Sequence, residues 1–205
     1  MDTTTLAAFL AVDLLLVFTP GADWAFAISA GLRDRSVVPA VAGLIAGHAA
    51  YALLAVAGLS VIVARSPDVL TALTVAGIGY LLWLGWSVLR QPATVTAAEE
   101  STGRSRRQVM LKGAGISGLN PKALLLYFSL FPQFIRPSTG WPVAAQTGLL
   151  SMIHLTACTV VYLAVGVLAR TVLTARPSAA RAVTRVSGAM MIAIGGFLLV
   201  AHLAG

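Results

Sequence analysis

The chain has 205 residues, 58% of them hydrophobic and only 10% charged, and its mean hydropathy is +0.88. A soluble domain carries about 25% charged residues and, at this size, has too much surface to hide so many apolar side chains. The formal charge of +7 comes from basic residues in short stretches between apolar runs, which is the topology signal of a membrane protein and not of a nucleic-acid binder.

A membrane-crossing helix needs about 20 apolar residues. The gaps between charges predict six, at about 4–31, 39–64, 69–89, 109–135, 142–169 and 183–204. The first is read as a retained helix and not a cleaved leader, because MDTTTL contains no Lys or Arg. It carries Asp13 and then Thr19-Pro20-Gly21-Ala22-Asp23. Proline removes a donor and clashes with the preceding turn, so a kink or unwound stretch is expected there. An ionised carboxylate at the centre of a span costs roughly 2.5–3.5 kcal/mol on insertion scales. Asp13 is therefore expected to face the protein interior. It lies seven residues before Pro20, on the same face of a regular helix. Two readings stand: a proton carrier beside the break, or a hydrogen-bonded carboxyl that never titrates.

The second span holds Gly43 and Gly47, a small-xxx-small pair that lets helices approach, and then His48. The third ends in Tyr80, Trp83 and Trp86, which with Trp141 are placed as interfacial anchors. Residues 91–108 form the sizeable hydrophilic stretch, read as a mobile linker between a first three-helix unit, 1–90, and a second, 109–205. The fourth span carries Gly118-Leu119-Asn120-Pro121-Lys122, a second predicted break. In the fifth, Thr147, Ser151, His154 and Cys158 form one helical stripe. It is either a cavity wall and proton relay or a row of interhelical hydrogen bonds; the bland reading is preferred for the hydroxyls and neither for His48 and His154. Cys158, the single cysteine, is read as a packed membrane thiol with no metal site or redox motif around it. In the sixth, Gly188, Gly195 and Gly196 suit close packing.

Lys and Arg fall after the first, third and fifth spans over the opposite face by roughly five to one. Those loops are expected in the cytoplasm and both termini outside it. The two breaks occupy the first helix of each unit. Three spans is an odd number, so the second unit enters the membrane from the other side. Paired discontinuous helices in inverted repeats are the pattern of secondary transporters, with the site near the midplane. Asp23 follows one break and Lys122 the other, a pair suited to the ammonium and carboxylate of a zwitterion. The bland alternative is two loop boundaries whose charges snorkel to water.

At these residues the sequence resembles the LysE/RhtB superfamily of bacterial amino-acid exporters. That family carries Pro-Gly-Pro-Asp/Asn in its first helix and Asn-Pro-Lys in its fourth, matched here by Pro20-Gly21-Ala22-Asp23 and Asn120-Pro121-Lys122. Further matching pieces are Gly43 to Gly47-His48, Ser66-Pro67, Gly77 to Tyr80-Leu81-Leu82-Trp83-Leu84-Gly85, and Phe131-Pro132-Gln133-Phe134. Ala22 departs from the family's second proline and softens the expected kink. The resemblance implies a multi-pass protein of the bacterial cytoplasmic membrane, and a homodimer. It also implies export of small amino acids of the threonine or homoserine kind, driven by protons.

The expected substrate site is Pro20, Gly21, Asp23, Asn120, Pro121 and Lys122, with Asp13, Asp23, His48 and His154 as proton-coupling groups. No cofactor, metal or nucleic acid is expected. A cation exporter would want several carboxylate or thiol ligands. The chain offers two intramembrane acids, one cysteine and a Lys122 that repels cations. A membrane-embedded enzyme would need a converging catalytic set, which the distant His48 and His154 do not announce.

Overall fold

The computed structural model describes residues 1–33, 36–65, 67–90 and 105–169, together with positions 185, 189, 192, 193, 195, 196, 199 and 200. The described residues are helical, without strands. In chain order they form α1 (Thr3–Val17), α2 (Ala22–Arg33), α3 (Val38–Arg65), α4 (Pro67–Arg90), α5 (Arg106–Gly118), α6 (Pro121–Leu125) and α7 (Val143–Leu168). Between α6 and α7 run a π turn (Leu126–Leu130) and two 3-10 turns (Phe131–Phe134 and Pro137–Thr139).

Asp2 caps α1. Its carboxylate accepts the Thr5 amide at 2.7 Å and the Thr5 hydroxyl at 2.9 Å. These bonds hold the exposed Asp2 carboxyl below its usual range, since they favour the charged form. The folded value is depressed, so the cap's contribution is present above the unfolded value and is lost as pH falls through the folded one. Asp2→Ala is expected to speed amide exchange at Thr5 and Leu6 at neutral pH. The difference from wild type should vanish in acid; a difference that persists there would show that the side chain does not act as an ionised cap.

α1 stops where the sequence predicts. α2 continues at an angle of 59° across a break of four residues. A helix end leaves its last carbonyls without intrahelical donors, and in lipid these must be satisfied by the protein. Here the accounting closes around the break. The Thr19 hydroxyl donates to the Leu15 carbonyl at 2.8 Å, and Trp24 Nε1 donates to the Val17 carbonyl at 2.8 Å. The Lys122 ammonium donates to the carbonyls of Leu16 and Thr19.

The second break is a built cap. α5 begins on a reciprocal Ser105–Gln108 capping box and ends at Gly118. The Gly118 carbonyl accepts the Tyr51 hydroxyl at 2.8 Å. Asn120 then caps α6, its side-chain oxygen accepting the Lys122 amide at 3.0 Å. Pro121 occupies the first turn, where the missing N–H costs nothing. The expected fourth span, 109–135, is thus four consecutive pieces: α5, α6, a π turn and a 3-10 turn.

α3 packs most extensively against α5 and then against α7. Glycine permits the first contact. A Cβ on Gly43 would run into the Met110 backbone, and one on Gly47 would lie 2.6 Å from Ser117 Cβ and 2.7 Å from the Gly118 amide. The pair read as a packing motif therefore sets α3 directly on the second break. At the other end of α7, the Gln146 side chain ties down the preceding loop, accepting the Arg136 amide at 2.9 Å and donating to the Arg136 and Trp141 carbonyls.

Among the described residues, α3 and α7 are each long and apolar enough to cross a membrane, and the bent pair α1–α2 makes a third if counted as one span. α4 covers the expected span 69–89 with 24 residues, a rise of about 36 Å. Most of the expected span 183–204, and residues 91–104 of the linker, lie outside the described residues. Trp83, Trp86 and Trp141 are exposed.

Candidate functional site

The two breaks face one another. Asp23 opens α2 and is buried. Its Oδ1 accepts the Ser117 hydroxyl at 2.8 Å. Its Oδ2 accepts the Asn120 amide at 3.1 Å and the Tyr162 hydroxyl at 3.2 Å, and lies 3.3 Å from His48 Nε2. One carboxylate thus gathers α3, α5, the second break and α7. An ionised carboxylate offers about four acceptor sites; here Oδ1 has one protein partner and Oδ2 has three. Asn120 uses both ends of its amide, the oxygen for the α6 cap and the nitrogen for Asp23. The Asn-Pro-Lys sequence is therefore one device: a cap, a rigid first turn, and a cation sent back across the first break.

A second buried acid sits ten residues earlier. Asp13 is fully buried on α1, and its Oδ1 lies 2.6 Å from His154 Nδ1. His154 Nε2 in turn lies 3.3 Å from His48 Nδ1. With the His48–Asp23 contact this makes a continuous chain, Asp13–His154–His48–Asp23, running from α1 through α7 and α3 to α2. The Cys158 sulfur approaches His154 Nε2 at 3.4 Å. The Tyr127 ring stands edge-on to His154 at 5.4 Å between centroids.

Apolar clusters enclose the polar chain on both sides. Tyr127 belongs to one, with Phe9, Phe131 and Leu150; Cys158 and Tyr162 belong to the other, with Leu44 and Val161. Between them, Asp23, His48, Lys122, His154 and Tyr162 line a small cavity of about 10 Å³ with Leu16 and Val17. Small-molecule sites commonly measure about 300–1,000 Å³. A solute of amino-acid size would need the breaks to separate.

Of the residues singled out in the sequence, Asp13, Asp23, His48, Asn120, Lys122 and His154 come together. Pro20 sits at the break itself. Gly21 does not join them: it is exposed, its φ is not positive, and a Cβ there would meet nothing within 4 Å. Pro121 serves as the first residue of α6. The stripe on α7 is buried throughout, and the Thr147 hydroxyl bonds the Val143 carbonyl of its own helix at 2.8 Å.

Sequence reasoning missed Ser117, Tyr162, Tyr51 and Trp24. Tyr162 was within reach, because His154, Cys158 and Tyr162 continue the α7 stripe at four-residue steps. Ser117 sits one turn before Asn120, a spacing that only a helix running up to the break makes meaningful. Cys158 is buried, as a packed membrane thiol would be, and lies with His48 and His154, their donor atoms within 4.8 Å of one another.

A family model described as LysE type translocator matches residues 14–202. A homoserine/homoserine lactone efflux protein of Salmonella typhimurium is 26% identical over 195 residues, covering 93% of this chain and 94% of the relative. A threonine efflux protein of Salmonella typhi is 29% identical over 151 residues, covering 70% and 72%. An uncharacterized membrane protein of Vibrio cholerae is 33% identical over 145 residues, covering 69% and 71%. No solved structure matches the chain.

Proposed function

The chain belongs to the LysE type translocator family, and from that premise we propose that it exports small amino acids or their derivatives, of the threonine or homoserine kind, in exchange for protons. One observation carries the reading: an acid from one helix break and a base from the other line a single buried cavity. The relatives named as homoserine and threonine efflux proteins point to the same solute class.

The site works by substitution of partners. In the closed arrangement Lys122 holds the Leu16 and Thr19 carbonyls, and Asp23 is engaged by four protein groups. A solute carboxylate draws the Lys122 ammonium away from those carbonyls. A solute ammonium replaces donors on Asp23. Each exchange loosens a break, so binding and opening are the same event. Protonation of the buried acids then releases the solute's ammonium on the far side.

The reading includes six spans arranged as two inverted three-helix repeats, 1–90 and 109–205, joined by the cytoplasmic linker 91–108. Both termini are non-cytoplasmic, the location is the bacterial cytoplasmic membrane, and the assembly is a homodimer. The paired breaks and the distribution of Lys and Arg support it. A cation is the less favoured solute: His48, His154 and Cys158 offer nearby donor atoms, but the Lys122 ammonium lines the same cavity.

The test is purified protein in proteoliposomes under an imposed pH gradient, screened over labelled amino acids. Gradient-dependent movement of one or more small neutral amino acids is expected. No movement across a broad panel, or equal movement without the gradient, would sink the proposal.

A further inference from the structure

We propose that Asp13, His154, His48 and Asp23 form a wire holding one proton more than two neutral imidazoles supply, which the two terminal carboxylates exchange without any side chain changing place. This deepens the proton coupling proposed above and rests on that reading for its use in transport.

The argument is a count. The chain has three links, of 2.6, 3.3 and 3.3 Å. Each link needs one proton to be a hydrogen bond. A neutral imidazole carries one N–H, so two neutral histidines and two carboxylates supply two protons for three links. One link would then set lone pair against lone pair across a gap of at most 3.3 Å, too short to hold a bridging water. With both rings doubly protonated, His154 Nε2 and His48 Nδ1 would face each other N–H to N–H. Only three protons close all three links.

Charge gives the same number independently. Two carboxylates carry −2, and the Lys122 ammonium in the same cavity carries +1. One extra proton brings the cluster to zero. Buried charge is costly in a membrane-embedded core unless it is compensated. The sum takes the other polar side chains facing the wire in their uncharged forms: Cys158 and Tyr162 from α7, Ser117 from α5, Asn120 at the second break and Tyr127 from the π turn. None changes the sum.

The extra proton has four resting places that differ only in hydrogen positions. Place it on Asp13 Oδ1. That O–H breaks as Nδ1–H forms on His154. Nε2–H of His154 breaks as Nδ1–H of His48 forms. Nε2–H of His48 breaks as O–H forms on Asp23 Oδ2. One proton has left Asp13 and one has arrived at Asp23, and three links remain throughout. The second oxygen of Asp13 and the hydroxyls of Ser151 and Tyr127 are buried without hydrogen-bond partners among the described residues. Ser151 lies one turn from His154, and Tyr127 stands against its ring.

The test is a proton count on the full chain in lipid at neutral pH, without solute or gradient. Nitrogen-15 histidine NMR reports how many ring nitrogens of His48 and His154 are protonated, with His202 as the third histidine to be assigned. Infrared spectroscopy reports a protonated carboxyl. A total of three is expected: three ring N–H groups, or two and one protonated carboxyl. A total of two or four would overturn the wire. In Asp13→Asn, which removes one negative charge, the total should fall to two; a total that stayed at three would also overturn it. The count does not depend on transport. Failed export leaves a count of three standing, and successful export does not rescue a count of two.

Discussion

Replacing Asp23 with alanine is expected to abolish export and to cost the fold about 3–5 kcal/mol, the usual penalty for removing one partner of a buried charged network. Ser117, Asn120, Tyr162 and His48 all converge on this carboxylate. Each buried donor left without an acceptor costs roughly 1–3 kcal/mol, and the four share one site, so their losses do not add. Alanine also leaves the Lys122 ammonium facing a cluster that has lost half its negative charge. Asp23→Asn separates the two effects. It keeps the volume and one acceptor but turns an N–H₂ toward groups that are themselves donors, and it cannot take a proton. It should fold with a lowered melting temperature and still fail to export. Thermal unfolding in detergent and an efflux assay in cells measure both. Normal export by Asp23→Asn would show that this carboxylate neither binds the solute nor passes a proton.

The residues that made this site legible were those with a local signature. Pro20 and Pro121 announce interrupted helices because a missing backbone donor has one structural consequence. Asp13, Asp23 and Lys122 stand out because charge in an apolar run needs a reason. Placing the acid and base together followed from the matching positions of the two breaks. How they are satisfied did not follow. The sequence suggested Asp23 and Lys122 as open partners for a zwitterion. The structure engages both, Asp23 with side chains from three other helical elements and Lys122 with the carbonyls freed at the opposite break. Those contacts join residues 94 to 139 positions apart and depend on the approach of α3 to α5 at Gly43 and Gly47. Periodicity within one helix cannot report that. The Asp13–His154 contact is of the same kind: each residue was singled out, but nothing local joins positions 141 residues apart.

Lys122→Met isolates what the base does for the closed state. Methionine keeps an unbranched apolar stem, one atom shorter, but removes every donor. The Leu16 carbonyl keeps the Thr19 amide at 3.1 Å, so the larger loss is at the Thr19 carbonyl, which the ammonium reaches at 3.1 Å. A hydrogen bond to a charged group contributes about 1.5–3 kcal/mol, and that is the expected loss of stability. The functional loss should be larger than stability explains. Without the ammonium, the wire with its extra proton carries a net negative charge, which hydrocarbon surroundings disfavour, and a solute carboxylate has no cation to meet. Export should fall by at least about tenfold, equivalent to roughly 1.4 kcal/mol in the transported step, even at temperatures where the variant is fully folded. Lys122→Arg keeps the charge but not the shape: the planar guanidinium cannot reproduce a compact ammonium between two carbonyls. It should recover part of the stability and little of the export. If Lys122→Met exports normally while Asp23→Asn does not, the base serves only to hold the first break closed, and recognition of the solute's carboxylate has to be sought elsewhere in the cavity.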